Sequence, residues 1–222
     1  RCYGVPQRTC AEVTDVLRND MTLSFLFKVI PARAYLEDPS RAALDEPVWP
    51  DWANIGAKYL IKGELRGPAP YSLSLKMYSV GGQSTMTLDW APQTGLQERD
   101  LRGATHRFAN AVVGALTGRP GVFDTRIAYS QAIKAGVKGI GQVDMDGHRK
   151  RLVVDNGSIN MLPSWGFGGI LYTSFLNGHP ELFLAGQRLS HDTGHYRKVA
   201  VSRDGSRVVA SISYGGQSDL FV

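Results

Sequence analysis

The longest helical pattern of apolar residues in the chain lies between Leu96 and Thr117. Its apolar positions are three or four residues apart, as on one face of an amphipathic helix: Leu101, Thr105, Phe108, Val112 and Leu116. The next four residues, 118–121, are Gly, Arg, Pro and Gly. They cannot continue a helix, because proline lacks the amide hydrogen and glycine favours a left-handed cap. We therefore predict a helix from about Leu96 to Thr117.

The first thirty residues combine a helical and an extended pattern. Thr9 and Glu12 have the spacing of a capping box, in which each side chain satisfies a free amide of the first helical turn. This pattern predicts a short helix that ends near Asn19-Asp20. The apolar run Leu23 to Ile30, terminated by proline, predicts a strand.

The middle of the first half has less regular patterns. Residues 33–50 are rich in charge and proline, and they predict an excursion with at most one helical turn, around Arg41 to Leu44. Residues 52–56 are a candidate short helix. Apolar and polar residues alternate in the second of the segments 58–65 and 72–79, which predict the two strands of a hairpin.

The pattern changes at about Phe123, after which the chain has short apolar runs punctuated by Gly, Asn and Asp and no helical period. Leu162 to Leu184 and Val199 to Val222 share one order of strand, glycine turn, strand, glycine turn and strand. A degraded earlier copy begins at Arg126 and closes with the turn Asp144 to Gly147. Such units are typical of β-propeller blades, and a run of generic hairpins is the alternative.

These patterns predict an α/β amino-terminal domain, residues 1–122, followed by an incomplete β-propeller, residues 123–222, with about two to three blades. Propeller blades bury their faces only against neighbouring blades, and about four to eight are needed to close the ring. We therefore expect this sequence to be a fragment of a longer protein. Trp165 and Tyr172 are predicted to lie in the core of the blades.

Composition and charge exclude several classes of function. The chain has 222 residues, with 25 Lys and Arg against 20 Asp and Glu. The formal net charge of +5 is spread over both halves, whereas nucleic-acid binding usually requires a concentrated basic patch. No apolar run approaches the length of about 20 residues that spans a bilayer. We expect neither nucleic acid nor a membrane span.

Motifs for catalysis or cofactor binding are missing from the sequence. We find no Gly-x-Ser-x-Gly elbow, no phosphate-binding loop and no His-Glu-x-x-His. The turn Asp144 to Gly147 resembles the start of a calcium loop but lacks the distal glutamate, so we interpret it as a turn. His191 and His195 could form a metal pair, but loop or interface residues are the preferred interpretation. We predict no enzyme, no cofactor and no metal site.

The two cysteines, Cys2 and Cys10, are separated by seven residues, and the rest of the chain has none. This spacing does not match a metal motif. They form either a disulfide, in an oxidising compartment, or two separate thiols, and the sequence leaves both open.

Several segments, in this order and spacing, resemble the TolB family, periplasmic components of the Tol-Pal envelope system. The segments are 15–19, 56–63, 116–123, 125–129, the turn Asp144 to Gly147, Met161 to Trp165 and the turn Ser202 to Gly205. The resemblance implies a six-bladed propeller in the full protein, a periplasmic location and no catalysis. It also implies a role in outer-membrane integrity, cell division and the import of macromolecules. The family's leading strand and its TolA-contacting segment are expected upstream of Arg1.

The resemblance further implies a partner, the peptidoglycan-associated lipoprotein Pal, docked on one face of the propeller. His195 falls where the family places a Pal-facing histidine, and Met161 and Lys198 fall at neighbouring positions, so these three are the predicted partner-binding residues. Other Tol components are expected to bind through the missing amino-terminal segment. The competing hypotheses are the propeller domain of a serine peptidase and a free-standing propeller that binds a sugar or a metal.

Overall fold

The computed structural model describes residues 1–38, 43–166, 168–190, 194–202 and 204–222, and of Lys198 it describes only the backbone. The chain divides into two units, Arg1–Asp124 and Thr125–Val222. Each unit has its own buried clusters, between helices and a sheet in the first unit and between β-sheets in the second.

The described residues of the first unit form three α-helices, one 3-10 turn and a five-stranded sheet. Its helices are α1 (Gln7–Leu23), α2 (Trp49–Asn54) and α3 (Glu98–Thr117), and the 3-10 turn is Ala32–Ala34. Its strands are β1 (Cys2–Tyr3), β2 (Tyr59–Arg66), β3 (Tyr71–Ser79), β4 (Ser84–Thr85) and β5 (Gln93–Leu96). The strand order is β1-β2-β3-β4, and β5 also pairs with β3. The predicted long helix, the candidate short helix near Trp52 and the hairpin are therefore confirmed. β1 and the small strands β4 and β5 were not predicted.

The core of the first unit lies between the sheet and the helices α1 and α3. β2 and β3 pair antiparallel along their whole length, from Tyr59 opposite Ser79 to Arg66 opposite Ser72. Alternate residues of β3 point to one face of the sheet. There Leu73, Leu75 and Met77 are buried against apolar residues of α1 and α3, such as Val13 and Phe108. The alternation that predicted β3 therefore also determines which of its residues form the core.

The first helix differs from the prediction at both ends. α1 begins at Gln7, and no side chain caps its first turn. Thr9 therefore lies inside the helix, where its hydroxyl donates a hydrogen bond to Oε1 of Glu98 at 3.0 Å. The predicted capping box of Thr9 and Glu12 is wrong, because Pro6, rather than Thr9, precedes the first turn and the threonine hydroxyl is used in a tertiary contact. The predicted end near Asp20 is also wrong, since the helix continues to Leu23.

The predicted strand from Leu23 to Ile30 is wrong as well. After the end of α1, Phe25 has a positive φ of 58°, and residues 27–30 have no regular secondary structure. Phe27 and Val29 nevertheless pack against the core of the first unit. An apolar run becomes a strand only where another strand offers backbone hydrogen bonds. Here the side chains are buried, but the backbone does not join the sheet. The predicted turn from Arg41 to Leu44 lies partly outside the described residues.

A disulfide joins Cys2 and Cys10, with an Sγ–Sγ distance of 1.99 Å and a Cα–Cα distance of 6.2 Å. The bond connects β1 to the first turns of α1. β1 is only two residues long, and it pairs parallel with Leu65 and Arg66 of β2. The alternative of two separate thiols is therefore not the state of this structure.

We expect loss of this disulfide to lower the free energy of unfolding of the first unit by about 2–3 kcal/mol, because the cross-link restricts the unfolded chain through a short loop. Urea unfolding of the chain with and without a reductant measures the effect. The double variant Cys2→Ser/Cys10→Ser is the control, since reductant should not change its midpoint. An equal midpoint for the oxidised and reduced wild type would contradict the expectation.

In the described part of the second unit, the strands of each sheet pair antiparallel, and one isolated parallel bridge joins Lys138 to Ile159. Its strands are β6 (Arg126–Lys134), β7 (Val137–Asp144), β8 (Arg151–Val154), β9 (Asn160–Gly166), β10 (Gly169–Ser174), β11 (Glu181–Leu184), β12 (Gln187–Arg188), β13 (His195–Val201), β14 (Val208–Tyr214) and β15 (Gln217–Phe221). They form three sheets, β6-β7-β8, β9-β10-β11-β12 and β13-β14-β15. The last two correspond to the two predicted repeats and the first to the degraded copy. The fold class is confirmed as an α/β domain followed by an incomplete β-propeller.

The sheets of the second unit pack against each other through apolar side chains. Leu171 and Leu182 of the second sheet form one cluster with Val199 and Ile212 of the third. Tyr172 is buried and stacks on Phe183, which confirms its predicted core position. Trp165 leaves 40% of its surface exposed, so its predicted core position is wrong. It lies next to the last residue of β9, where the end of a sheet has fewer covering neighbours.

Among the helices in the described ranges, none has both the length and the apolar character that crossing a membrane requires.

Candidate partner-binding site

The predicted partner-binding residues lie at one end of the β-sheets. Asn160, the first residue of β9, pairs with Ser174, the last residue of β10. In the third sheet, His195 at the start of β13 pairs with Ser213 near the end of β14. The start of each first strand therefore lies beside the turn that follows the second strand. We call this end of the two sheets the turn face, and it comprises residues 160–161, 175–180, 195–198 and 214–217.

The glycines of the last turn are required by its geometry. Tyr214 and Gln217 pair directly, so the turn between them has only two residues, Gly215 and Gly216. Both have a positive φ, 55° and 90°. A two-residue hairpin turn of this kind favours glycine, because residues with a side chain rarely adopt a positive φ. The turn predicted from the sequence thus lies on the turn face.

A buried asparagine holds the chain where it enters β9. Asn160 is fully buried, and its side-chain amide donates to the carbonyl oxygen of Lys138 at 2.9 Å and to Oδ1 of Asn156 at 2.7 Å. The backbone amide of Lys138 donates to the carbonyl of Ser158 at 3.1 Å. These bonds connect the first and second sheets, so the segment before Met161 has a defined position.

A threonine links the strand of Met161 to the strand of Lys198. Met161 pairs with Thr173 across the second sheet. The hydroxyl of Thr173 donates to the carbonyl oxygen of Arg197 at 3.2 Å, next to Lys198 in the third sheet. Met161 is half-buried. Thr173 therefore connects the two strands that carry Met161 and Lys198, and the Lys198 side chain lies outside the described atoms.

His195 is exposed and lies beside the neighbouring sheet. The amide of Tyr196 donates to the carbonyl of Pro180 at 3.0 Å, which joins β13 to the turn after β10. The ring centroids of His195 and His179 are 6.1 Å apart, with a 32° angle between the planes. His191, the other member of the conceivable metal pair, lies outside the described residues.

A buried carboxylate underlies this part of the turn face. Glu181 is fully buried, and its oxygens are contacted by Arg188 Nη2 at 2.6 Å, Asn177 Nδ2 at 2.6 Å and His179 Nε2 at 3.2 Å. No sequence pattern indicated His179, Glu181 or Arg188 as site residues. The available signal was a charged residue at the start of the apolar strand Glu-Leu-Phe-Leu, which requires polar partners if it is buried.

The opposite ends of the sheets carry turns that are stabilised internally. In the turn between β13 and β14, the hydroxyls of Ser202 and Ser206 donate to Asp204 and lower the pKa of this carboxyl to about 2. In the turn after β7, Asp144 contacts Nε of Arg149 at 2.6 Å and Nε of Arg126 at 3.7 Å. Both aspartates thus have local partners, as expected for turn residues.

The turn face presents two imidazoles, a half-buried thioether and amide groups from two adjacent sheets. Such a surface can form hydrogen bonds and packing contacts with another macromolecule.

Comparison with known proteins identifies the family. The family model described as the TolB amino-terminal domain matches residues 4–86. The Tol-Pal system protein TolB of Anaeromyxobacter sp. (strain K) is 34% identical over 95% of this chain and 50% of its own length. The protein of the same name from Marinomonas sp. (strain MWYL1) is 29% identical over 86% of this chain and 44% of its own length.

A solved structure supports the fold. The crystal structure of TolB from Acinetobacter baumannii superimposes with a TM-score of 0.78 and 23% sequence identity. The match covers 94% of this chain and 53% of that protein. The chain spans about half the length of the curated relatives that it matches. The chain belongs to the TolB family.

Proposed function

We propose that this chain is part of a non-enzymatic periplasmic scaffold of the Tol-Pal system, in which the turn face binds a Pal-type peptidoglycan-associated lipoprotein. In this role the protein supports outer-membrane integrity, cell division and the import of macromolecules. The partner-binding residues are His195, Met161 and Lys198. The observation that carries the proposal is that neighbouring sheets bring the chain segments of these residues to one end of the second unit.

Two further observations support this proposal. The relatives are named as Tol-Pal system proteins, which favours the scaffold over the propeller of a serine peptidase. The Cys2–Cys10 disulfide suits an oxidising compartment such as the periplasm, because cytosolic thiols are kept reduced.

A pull-down with the soluble domain of Pal tests the proposal. We expect His195→Ala to weaken binding about tenfold or more, because an exposed imidazole at the centre of an interface loses both packing and hydrogen bonds. His148→Ala is the matched control, since His148 is also exposed but lies in the β7–β8 connection, at the opposite end of its sheet. Equal retention of Pal by the His195 variant and the wild type would remove His195 from the site.

A further inference from the structure

The second sheet has a β-bulge at the turn face. Thr173 of β10 lies opposite Met161, whereas Leu171, two residues earlier, lies opposite Ser164, three residues later. Over this stretch β9 therefore contains one residue more than β10. Leu162 belongs to the bulge and directly follows Met161. A bulge bends its strand and changes the direction of the side chains, so Leu162 does not follow the regular alternation of a strand.

The third sheet has a β-bulge at the corresponding place, between Tyr196 and Lys198 of β13. Its additional residue is Arg197, whose carbonyl oxygen accepts a hydrogen bond from the hydroxyl of Thr173 at 3.2 Å. Thr173 is buried, and it also pairs with Met161, which precedes the first bulge. The two bulges are therefore connected through one threonine, and each lies beside a predicted partner-binding residue.

Leu162 has a backbone conformation that leucine rarely adopts. Its φ is 56°, in the left-handed region. This region is unfavourable for a residue with a side chain, because Cβ comes too close to the following carbonyl oxygen, and bulges with such a residue usually have glycine there. Leu162 is also 43% exposed. Neither the conformation nor the exposure of this leucine stabilises the folded chain.

The position of Leu162 distinguishes it from the other side-chain-bearing residues with a positive φ. Among the described residues, it is the one that lies inside a strand. The others lie in turns or bends: Phe25, Gln83, Arg149 and Ala185. Strained residues persist where the surrounding structure holds them, and they are concentrated at functional sites. The strain at Leu162 therefore indicates a role for this side chain outside the stability of the fold.

Other apolar side chains are exposed on the turn face. Leu176, in the turn after β10, is 47% exposed, and Tyr214, at the end of β14, is 42% exposed. The centre of a protein–protein interface is more apolar than its rim. Apolar atoms make up roughly half or more of a folded protein's surface, so a partner protein ordinarily offers a group that can pack on such residues.

We propose that Leu162 binds the partner protein directly, through an apolar contact, and that the bulge of β9 presents its side chain for this contact. The partner is the Pal-type lipoprotein, and the group that packs on Leu162 is an apolar side chain. Leu162 is thus a partner-binding residue in addition to His195, Met161 and Lys198. This inference rests on the proposed function, since it concerns the same surface and the same partner.

Calorimetric titration of the full-length protein with the soluble domain of Pal measures this contact. We expect Leu162→Ala to weaken binding about tenfold or more, because the interface loses a buried isobutyl group. Leu162→Met should retain most of the affinity, since it keeps an apolar side chain of similar volume. Leu152→Ala is the control and should bind as the wild type does, because Leu152 is 40% exposed but lies in β8, outside the turn face.

Urea unfolding separates a partner contact from a structural role of Leu162. Leu162→Gly relieves the unfavourable φ, so its unfolding midpoint should equal or exceed that of the wild type, although its Pal binding is weakened as in Leu162→Ala. Ala185→Gly is the matched control. Ala185 has a φ of 48° at the opposite end of the second sheet, so this variant should keep or raise the midpoint and bind Pal as the wild type does.

The outcomes distinguish this inference from the proposed function. Weaker Pal binding by Leu162→Ala and Leu162→Gly, without a lower unfolding midpoint, would support the contact. Unchanged Pal affinity of Leu162→Ala, or a lower midpoint of Leu162→Gly, would overturn the contact and leave the proposed function standing. Absence of Pal binding by the wild type would overturn both.

Discussion

Replacement of Phe108 by alanine is expected to lower the free energy of unfolding of the first unit by about 3–5 kcal/mol. Phe108 lies in α3 with no exposed surface, and its ring meets that of Trp90 edge-on, with centroids 5.5 Å apart. Truncation removes buried apolar surface and leaves a cavity that the surrounding sheet and helices can fill only partly. Guanidinium unfolding, followed by tryptophan fluorescence, measures the loss.

A matched phenylalanine provides the control. Phe25 is 93% exposed, and we expect Phe25→Ala to change the stability by less than about 0.5 kcal/mol. Both variants are compared in a Trp165→Phe background, because Trp165 is the tryptophan of the second unit and the others belong to the first. Similar losses for the two phenylalanines would show that α3 does not pack as described.

The second large effect is expected at a buried ion pair of the first unit. Nζ of Lys62 donates to Oε1 of Glu37 at 2.7 Å, and both side chains are buried. Trp52 Nε1 and the amide of Val48 donate to the other oxygen of Glu37. We expect Lys62→Met to cost about 3–5 kcal/mol, because it leaves the carboxylate buried without its counter-charge. Chemical denaturation of the variant gives the value.

The double variant and a surface pair complete this test. Adding Glu37→Gln to Lys62→Met should recover part of the loss, because it removes the uncompensated charge. Lys76 pairs with Asp45 in partly exposed surroundings, so Lys76→Met should cost less than about 1 kcal/mol. If Lys62→Met lowers the free energy of unfolding no more than Lys76→Met does, the pair of Lys62 and Glu37 is solvated rather than buried.

Sequence patterns predicted an element correctly where its formation depends on interactions between residues close together in the chain. α3 was predicted because one short segment contains both its apolar face and the residues that end it. Gly118 adopts the left-handed cap conformation, with a φ of 77°. β3 was predicted because alternate burial depends only on the pleat of a strand. The strand predicted at residues 23–30 was wrong, since apolar side chains can be buried with or without a pairing strand. The predicted core position of Trp165 was wrong, because burial at the end of a strand depends on which neighbouring residues cover it.

For the candidate site, too, local features were predicted from the sequence and contacts between sheets were not. The repeated order of strands and glycine turns located the turn between β14 and β15, and the resemblance to a family selected His195, Met161 and Lys198. His179 was missed although it lies in the turn Asn-Gly-His-Pro that the repeat pointed to. Its contact with His195 joins two adjacent sheets, and no local sequence pattern indicates a contact of that kind.

The order of residues alone determined the long helix, the hairpin, the change to an all-β second half and the repeat of its blades, because periodic burial and turn chemistry act over a few neighbouring residues. Only the tertiary structure decided that Glu37 is buried with Lys62, that Cys2 is bonded to Cys10 and that His179 lies beside His195. Each of these depends on how segments far apart in the chain pack, and desolvation and charge pairing act through space rather than along the sequence.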